Sequence, residues 1–350
     1  MPKTLSINVG VDHRNLSRPA SAKNWIQQFD PTPPNSLTAL RIKSGPFIAE
    51  TDGFHFINQF VMTAENATQI RDRFGAVGNI VIGEITKQFI DAMNGVNISV
   101  GFTSVSLPQT VIDYVIGQIS GPLVVDQIIG SAPGTMGRCG GMAFAGYDFY
   151  LANWQIDSTI TVPPSTGDLG DYIFNRLLDS LDLNASTYLE WFITLHILPI
   201  ISKTANIALA TAIGSLAGPI GAALGAFIGS QENFFNFGGP KVILDRTINQ
   251  WQNIKSTLDQ QAACPIGILY GDSVTPLDDH QILAIGYSDS GDGNPSLNVW
   301  NNNEGNSSKN LTLHFNGDEL EVDNFGSDHP VKGILLDNYS PSLPPKSLKR

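Results

Sequence analysis

Cys139 lies in the stretch Gly137-Arg138-Cys139-Gly140-Gly141-Met142-Ala143-Phe144, after the loop-forming Ser131-Ala132-Pro133-Gly134 and before an apolar run. A thiol in the first turn of a helix faces the positive end of the backbone dipole, which favours the thiolate, the form that attacks carbonyl carbon. Gly140 and Gly141 would let a substrate backbone come close to the sulfur. Such a nucleophile needs a base to take its proton and a third group to orient the base. His280 stands 141 residues further on, and Asn301-Asn302-Asn303 follows Leu297-Asn298-Val299-Trp300. The chemistry this set can perform is acyl transfer through a cysteinyl thioester. A lone cysteine is as readily a small buried hydrophobe, so the three segments carry the reading only together.

The elements that must position these residues are legible in the spacing. Met142, Phe144, Ala145, Phe149 and Ala152 recur at helical spacing, which predicts a helix starting at Cys139. Trp251, Ile254 and Leu258 predict a second helix, and Cys264–Tyr270 a strand in which Cys264 is a core thiol. His280 opens an apolar strand to Tyr287. The turn residues Ser288-Asp289-Ser290-Gly291-Asp292-Gly293 follow, and Leu297–Trp300 returns, so a hairpin brings His280 and Asn301 together. The Asp289–Asn294 stretch has a faint calcium-loop pattern, but the closing glutamate is absent and it reads as a hairpin turn. Asp148, Asp278 and Asp279 read as solvated carboxylates.

Cys139-Gly-Gly-Met-Ala-Phe144, His280-Gln-Ile-Leu-Ala-Ile-Gly-Tyr287 and Val299-Trp-Asn-Asn-Asn-Glu-Gly305 resemble, in that order, the three site segments of papain-like cysteine peptidases. The local motifs are most similar to those of the bacteriocin-processing double-glycine peptidases, and the separation of Cys139 from His280 falls within the roughly 130–150 residues of papain-type enzymes. The resemblance implies an α+β papain-like fold, with a nucleophile helix packed on an antiparallel sheet. It also implies Cys139 as nucleophile, His280 as general base and Asn301 as the orienting residue, with Asn302 as the other candidate. The implied substrate is a peptide or protein, and no cofactor or metal is implied. One position departs from the pattern. The family places a glutamine six residues before the nucleophile to stabilise the oxyanion, and here Pro133 stands there, without a donor. Gln127 and Thr135 are nearby but out of register. Loss of an oxyanion donor costs on the order of 100- to 1,000-fold in rate, so a catalytically inactive binding module is the alternative reading.

Composition bounds these readings. The 350 residues are 42% hydrophobic and 15% charged, ample for a substantial core, with a net charge of −12 that argues against nucleic acid as a partner. Two cysteines and an N-terminus without the apolar core of a secretory signal lead to the expectation of a cytoplasmic protein. Asn-x-Ser/Thr sites such as Asn15-Leu16-Ser17 carry little weight without a signal. No Walker loop, Rossmann glycine pattern or paired metal cysteines occur.

Residues 1–120 are expected to be a β-rich region, with strands at about 53–62, 79–85 and 96–102, although Ile85 to Met93 has helical character. His13 and His55 lie there without partners at metal-ligand spacing and read as scaffold. Residues 121–340 form the papain-like domain and 341–350 a polar tail. A Gly/Ala-rich helical insert interrupts that domain at about 190–235. Within it 205–229 carries no charge and is long enough to span a bilayer, and Gly221, Gly225 and Gly229 suit close helix packing. Gly218-Pro219 breaks it, which favours a packed helical hairpin. A toxin-like protein that inserts this hairpin into membranes is the sharp alternative.

Overall fold

A computed structural model describes residues 43, 45–94, 97–100, 103–106, 137–200, 238–326 and 328–350, with isolated residues in 109–113 and 202–211. Every residue of strand β3 (Cys264–Tyr270) is buried, the mark of a strand covered on both faces. It belongs to a six-stranded sheet in the order β7-β6-β5-β4-β3-β8, antiparallel throughout. The other strands are β4 (His280–Ser288), β5 (Ser296–Trp300), β6 (Ser308–His314), β7 (Glu321–Asp323) and β8 (Val331–Leu336). The two edge strands β7 and β8 approach each other, so the sheet curls.

Alternation along β4 assigns the two faces. Ile282 and Ala284 pack with Leu244, Trp251 and Ile254 of helix α4 (Pro240–Leu258), while Leu283 joins Met142 and Ala145 of helix α2 (Cys139–Leu151) and Trp300. The fold is therefore α+β, with the cysteine-bearing helix packed against the sheet. Helix α3 (Asp168–Phe192) lies along α2 and continues through a π turn at Ile193–Ile197, and helix α1 (Ala64–Asn94) packs on α3. Strands β1 (Asn97–Val100) and β2 (Thr103–Ser106) form a separate hairpin.

The N-terminal region is not β-rich among the described residues. Residues 79–85, expected as a strand, lie inside the 31-residue α1. Ile70, Phe74 and Val81 fall on one helical face and are buried, so tertiary burial overrides the β-branched run Ile80-Val81-Ile82. Residues 53–62 form no strand. Phe54, Phe56 and Phe60 still bury one side against Phe149 and Trp300, and the Asn58 N–H donates to the Asn302 carbonyl at 2.9 Å instead of to a ladder. Only the expected strand at 96–102 has a counterpart, in β1. The 341–350 tail is docked: the Ser342 N–H donates to Asp148 and Leu348 packs on the core. His13, Gln127, Pro133, Thr135 and most of 205–229 lie outside the described residues, among which no helix is long and apolar enough to cross a membrane.

Candidate active site

Helix α2 begins at a rigid anchor. Arg138, its N-cap, is fully buried, with its guanidinium between the rings of Phe60 and Phe174 at 4.7 and 5.0 Å. It donates to the Gly170 carbonyl at 2.6 Å and to Asn66 Oδ1 at 3.2 Å. The two glycines after Cys139 are closely packed. A Cβ on Gly141 would sit 2.0 Å from the Ile173 carbonyl oxygen of α3, and one on Gly140 would sit 1.7 Å from Gln281 Oε1. The Gln281 amide is fixed there, accepting from the Ser180 hydroxyl at 2.9 Å and donating to Asp337 at 2.8 Å.

The hairpin expected to join His280 and Asn301 does so. His280 opens β4, Asn301 follows β5, and His280 Nε2 bonds Asn301 Oδ1 at 2.9 Å, both residues being buried. Neighbours decide which atom donates. Asn301 Nδ2 donates to the Glu304 carboxylate at 3.0 Å, and Oδ1 also accepts the Asn303 N–H at 3.1 Å. The oxygen therefore faces the imidazole, so Nε2 carries the proton and Nδ1 the lone pair of a base. Asn302, the other candidate, has a different task. Its Nδ2 donates to the Cys139 carbonyl at 3.0 Å and to the Gln281 carbonyl at 2.9 Å, tying the start of α2 to the His280 strand.

The Cys139 sulfur receives the backbone N–H of Gln281, the peptide that follows His280, along with those of Gly140 and Cys139 itself. These donors favour the thiolate, but burial outweighs them and Asp337 adds to it, so the thiol is pushed up to about 11. The helix-dipole expectation is thus overturned by desolvation. Burial also pulls His280 down to about 4, against the Asn301 hydrogen bond and the Glu304 charge. Cysteine and histidine both rest neutral at physiological pH.

Two aspartates read as solvated are buried. Asp148, 1% exposed, accepts from Arg176 Nε at 2.7 Å, Tyr172 at 2.8 Å, Tyr339 at 2.5 Å and the Ser342 N–H at 2.8 Å. Burial raises it to about 6 although Arg176 opposes the shift. Asp279, next to His280, is buried as well. Arg176 and Tyr172 are partners of Asp148 that no local pattern announces. Asp278 is half-buried and accepts the Val274 and Thr275 N–H groups. Cys264 is a core thiol of β3. The Asp289–Asn294 segment is a hairpin turn in which Gly291 and Gly293 take positive φ, and His55 lies against the Asn306 amide. Among the described residues no group of His, Cys, Asp and Glu side chains is arranged to hold a metal.

Asn58, which no sequence pattern singles out, also meets the start of α2. Its Oδ1 accepts the Arg138 N–H at 2.7 Å, and its backbone N–H meets the Asn302 carbonyl. With Oδ1 so committed, Nδ2 lies against Gly137, where a Cβ would be 2.3 Å away, and has no protein partner among the described residues. It lies 81 residues before Cys139 in the chain, and no spacing rule points to it. No family model, curated protein or solved structure matches the chain.

Proposed function

We propose that the protein is a papain-like cysteine hydrolase acting on peptide or amide carbonyls, with Cys139, His280 and Asn301 as its triad. The observation that supports this is the His280–Asn301 pair: a buried imidazole whose Nε2 faces Asn301 Oδ1, leaving Nδ1 as the base, on a strand whose next residue, Gln281, turns its backbone N–H to the Cys139 sulfur. Nδ1 takes the Cys139 proton as sulfur bonds to the carbonyl carbon. The resulting oxyanion accepts the Cys139 N–H and Asn58 Nδ2, the amide that stands in for the missing glutamine. The imidazolium then returns its proton to the leaving nitrogen as the C–N bond breaks. Water attacks the thioester with Nδ1 as base, releasing the acid and restoring the thiol.

A second reading, a module that binds without turnover, draws support from the neutral resting pair. Labelling with a peptidyl acyloxymethyl ketone distinguishes them. The hydrolase reading expects wild type to be labelled, Cys139→Ala to be unlabelled, and His280→Ala to label about 100-fold or more slowly. Equal labelling of all three refutes it.

A further inference from the structure

Between α3 and the loop of residues 271–279 a cleft of about 40 Å³ reaches Cys139. This is room for about three waters, comparable to a slender side chain. Leu177, Leu181 and Leu277 give it apolar walls, and no lysine or arginine lines it among the described residues. Asp279 also lines it, 8% exposed. Its Oδ1 accepts the Tyr270 N–H at 3.1 Å and the Ser273 hydroxyl at 2.8 Å, which holds the turn, whereas Oδ2 has no hydrogen-bond partner. Buried polar atoms are almost always satisfied, and one left open on the wall of a cleft is a group awaiting a partner. Burial with no cation in contact pushes this carboxyl up to about 8, and neighbouring Asp278 adds to the effect.

We infer that this cleft is the subsite for the side chain of the acylating residue and takes a lysine-type chain, its ammonium on Asp279 Oδ2. The inference rests on the acyl-transfer reading of Cys139. A straight methylene chain suits the apolar walls, and the ammonium supplies both the missing donor and the missing charge. A neutral chain of the same length would leave Oδ2 unpaired, and an arginine side chain, with two more heavy atoms than lysine, asks more of a cleft of about 40 Å³.

The test compares lysyl, norleucyl and arginyl peptide acyloxymethyl ketones on wild type and Asp279→Asn, a variant that keeps Oδ1 for Tyr270 and Ser273. The lysyl probe is expected to label wild-type Cys139 about ten- to a hundredfold faster than the norleucyl probe, from a charge-assisted hydrogen bond. Asp279→Asn should lose that preference, read as the ratio of the lysyl to the norleucyl rate. Equal lysyl and norleucyl rates in wild type overturn the subsite and leave the nucleophile standing, a comparison that needs no variant. An arginyl probe as fast as the lysyl one overturns the linear-chain assignment. Failure of every probe on a Cys139 that iodoacetamide still alkylates overturns the acyl-transfer reading, and the subsite with it.

Discussion

The resting state of Cys139 can be read directly from the pH dependence of its alkylation. Iodoacetamide reacts with thiolate and needs neither an oxyanion donor nor a general acid, so its rate follows the thiolate fraction. With the thiol near 11, that fraction at pH 7 is about one in ten thousand, against about one in a hundred for a thiol at its ordinary value of 9.0. With His280 near 4, protonated imidazole contributes nothing above pH 5. The logarithm of the rate should climb about one unit per pH unit from pH 6 to 9, with no plateau. Stopped-time alkylation with peptide mapping, to separate Cys139 from the buried Cys264, gives the profile. His280→Ala should leave it unmoved above pH 6 while acyl transfer falls about 100- to 10,000-fold. A rate independent of pH between 5 and 8 would mean a preformed thiolate–imidazolium pair, and would refute the argument that desolvation outweighs the three N–H donors.

Three further outcomes follow from the same geometry. Asn58→Asp keeps the acceptor for the Arg138 N–H and removes the Nδ2 donor, so a peptide aldehyde, whose adduct carries the oxyanion, should bind about 100-fold more weakly; iodoacetamide rates measure the charge effect separately, and unchanged aldehyde affinity would remove Asn58 from the site. Gly140→Ala drives a methyl into Gln281 Oε1, displacing the amide from Ser180 and Asp337, and should cost about 1–3 kcal/mol in denaturant unfolding for each buried group left unpaired. Asp279 and Asp337, raised by burial to about 8 and 7, hold protons in the folded state that the unfolded chain releases near 4, so their contribution is complete below pH 4 and is lost as pH rises to 8. Melting temperature should therefore fall from pH 6.5 to 8, and Asp279→Asn and Asp337→Asn should each flatten the slope; a rising curve counts against both assignments.

The site was legible where chemistry and local pattern coincide. Cys139 stands where a helix must start, and His280 and Asn301 flank one hairpin whose strands and turn are written in consecutive residues. What could not be read depends on partners distant in sequence. Asp148 looks like any surface carboxylate until Arg176 and the chain near Ser342 close over it. Asn58 gains meaning only because Arg138 and Asn302 converge on it. The same holds for α1, where the run Ile80-Val81-Ile82 is locally β-like and only the face it shares with Ile70 and Phe74 reveals a helix. Gly140 and Gly141 show the same dependence: their smallness is plain in the chain, and only α3 and Gln281 reveal what packs against them.

Desolvation sets the resting state of Cys139 against the pull of the helix dipole. A helix terminus stabilises an anion by fractions of a kcal/mol up to about 2, while taking a thiolate out of water with Asp337 nearby costs more, and the sulfur ends well above its ordinary range. Under the proposed hydrolase reading, activation must then come from what arrives. The ammonium of a lysine-type chain on Asp279 would take the place of the proton that this carboxyl holds at rest, in the cleft that Cys139 itself lines, so the loaded site keeps the net charge of the resting one while water is displaced. Uptake of a lysine-type amine by wild type at pH 7 would then release close to one proton, read by calorimetry in two buffers of different ionisation enthalpy, and Asp279→Asn would release none.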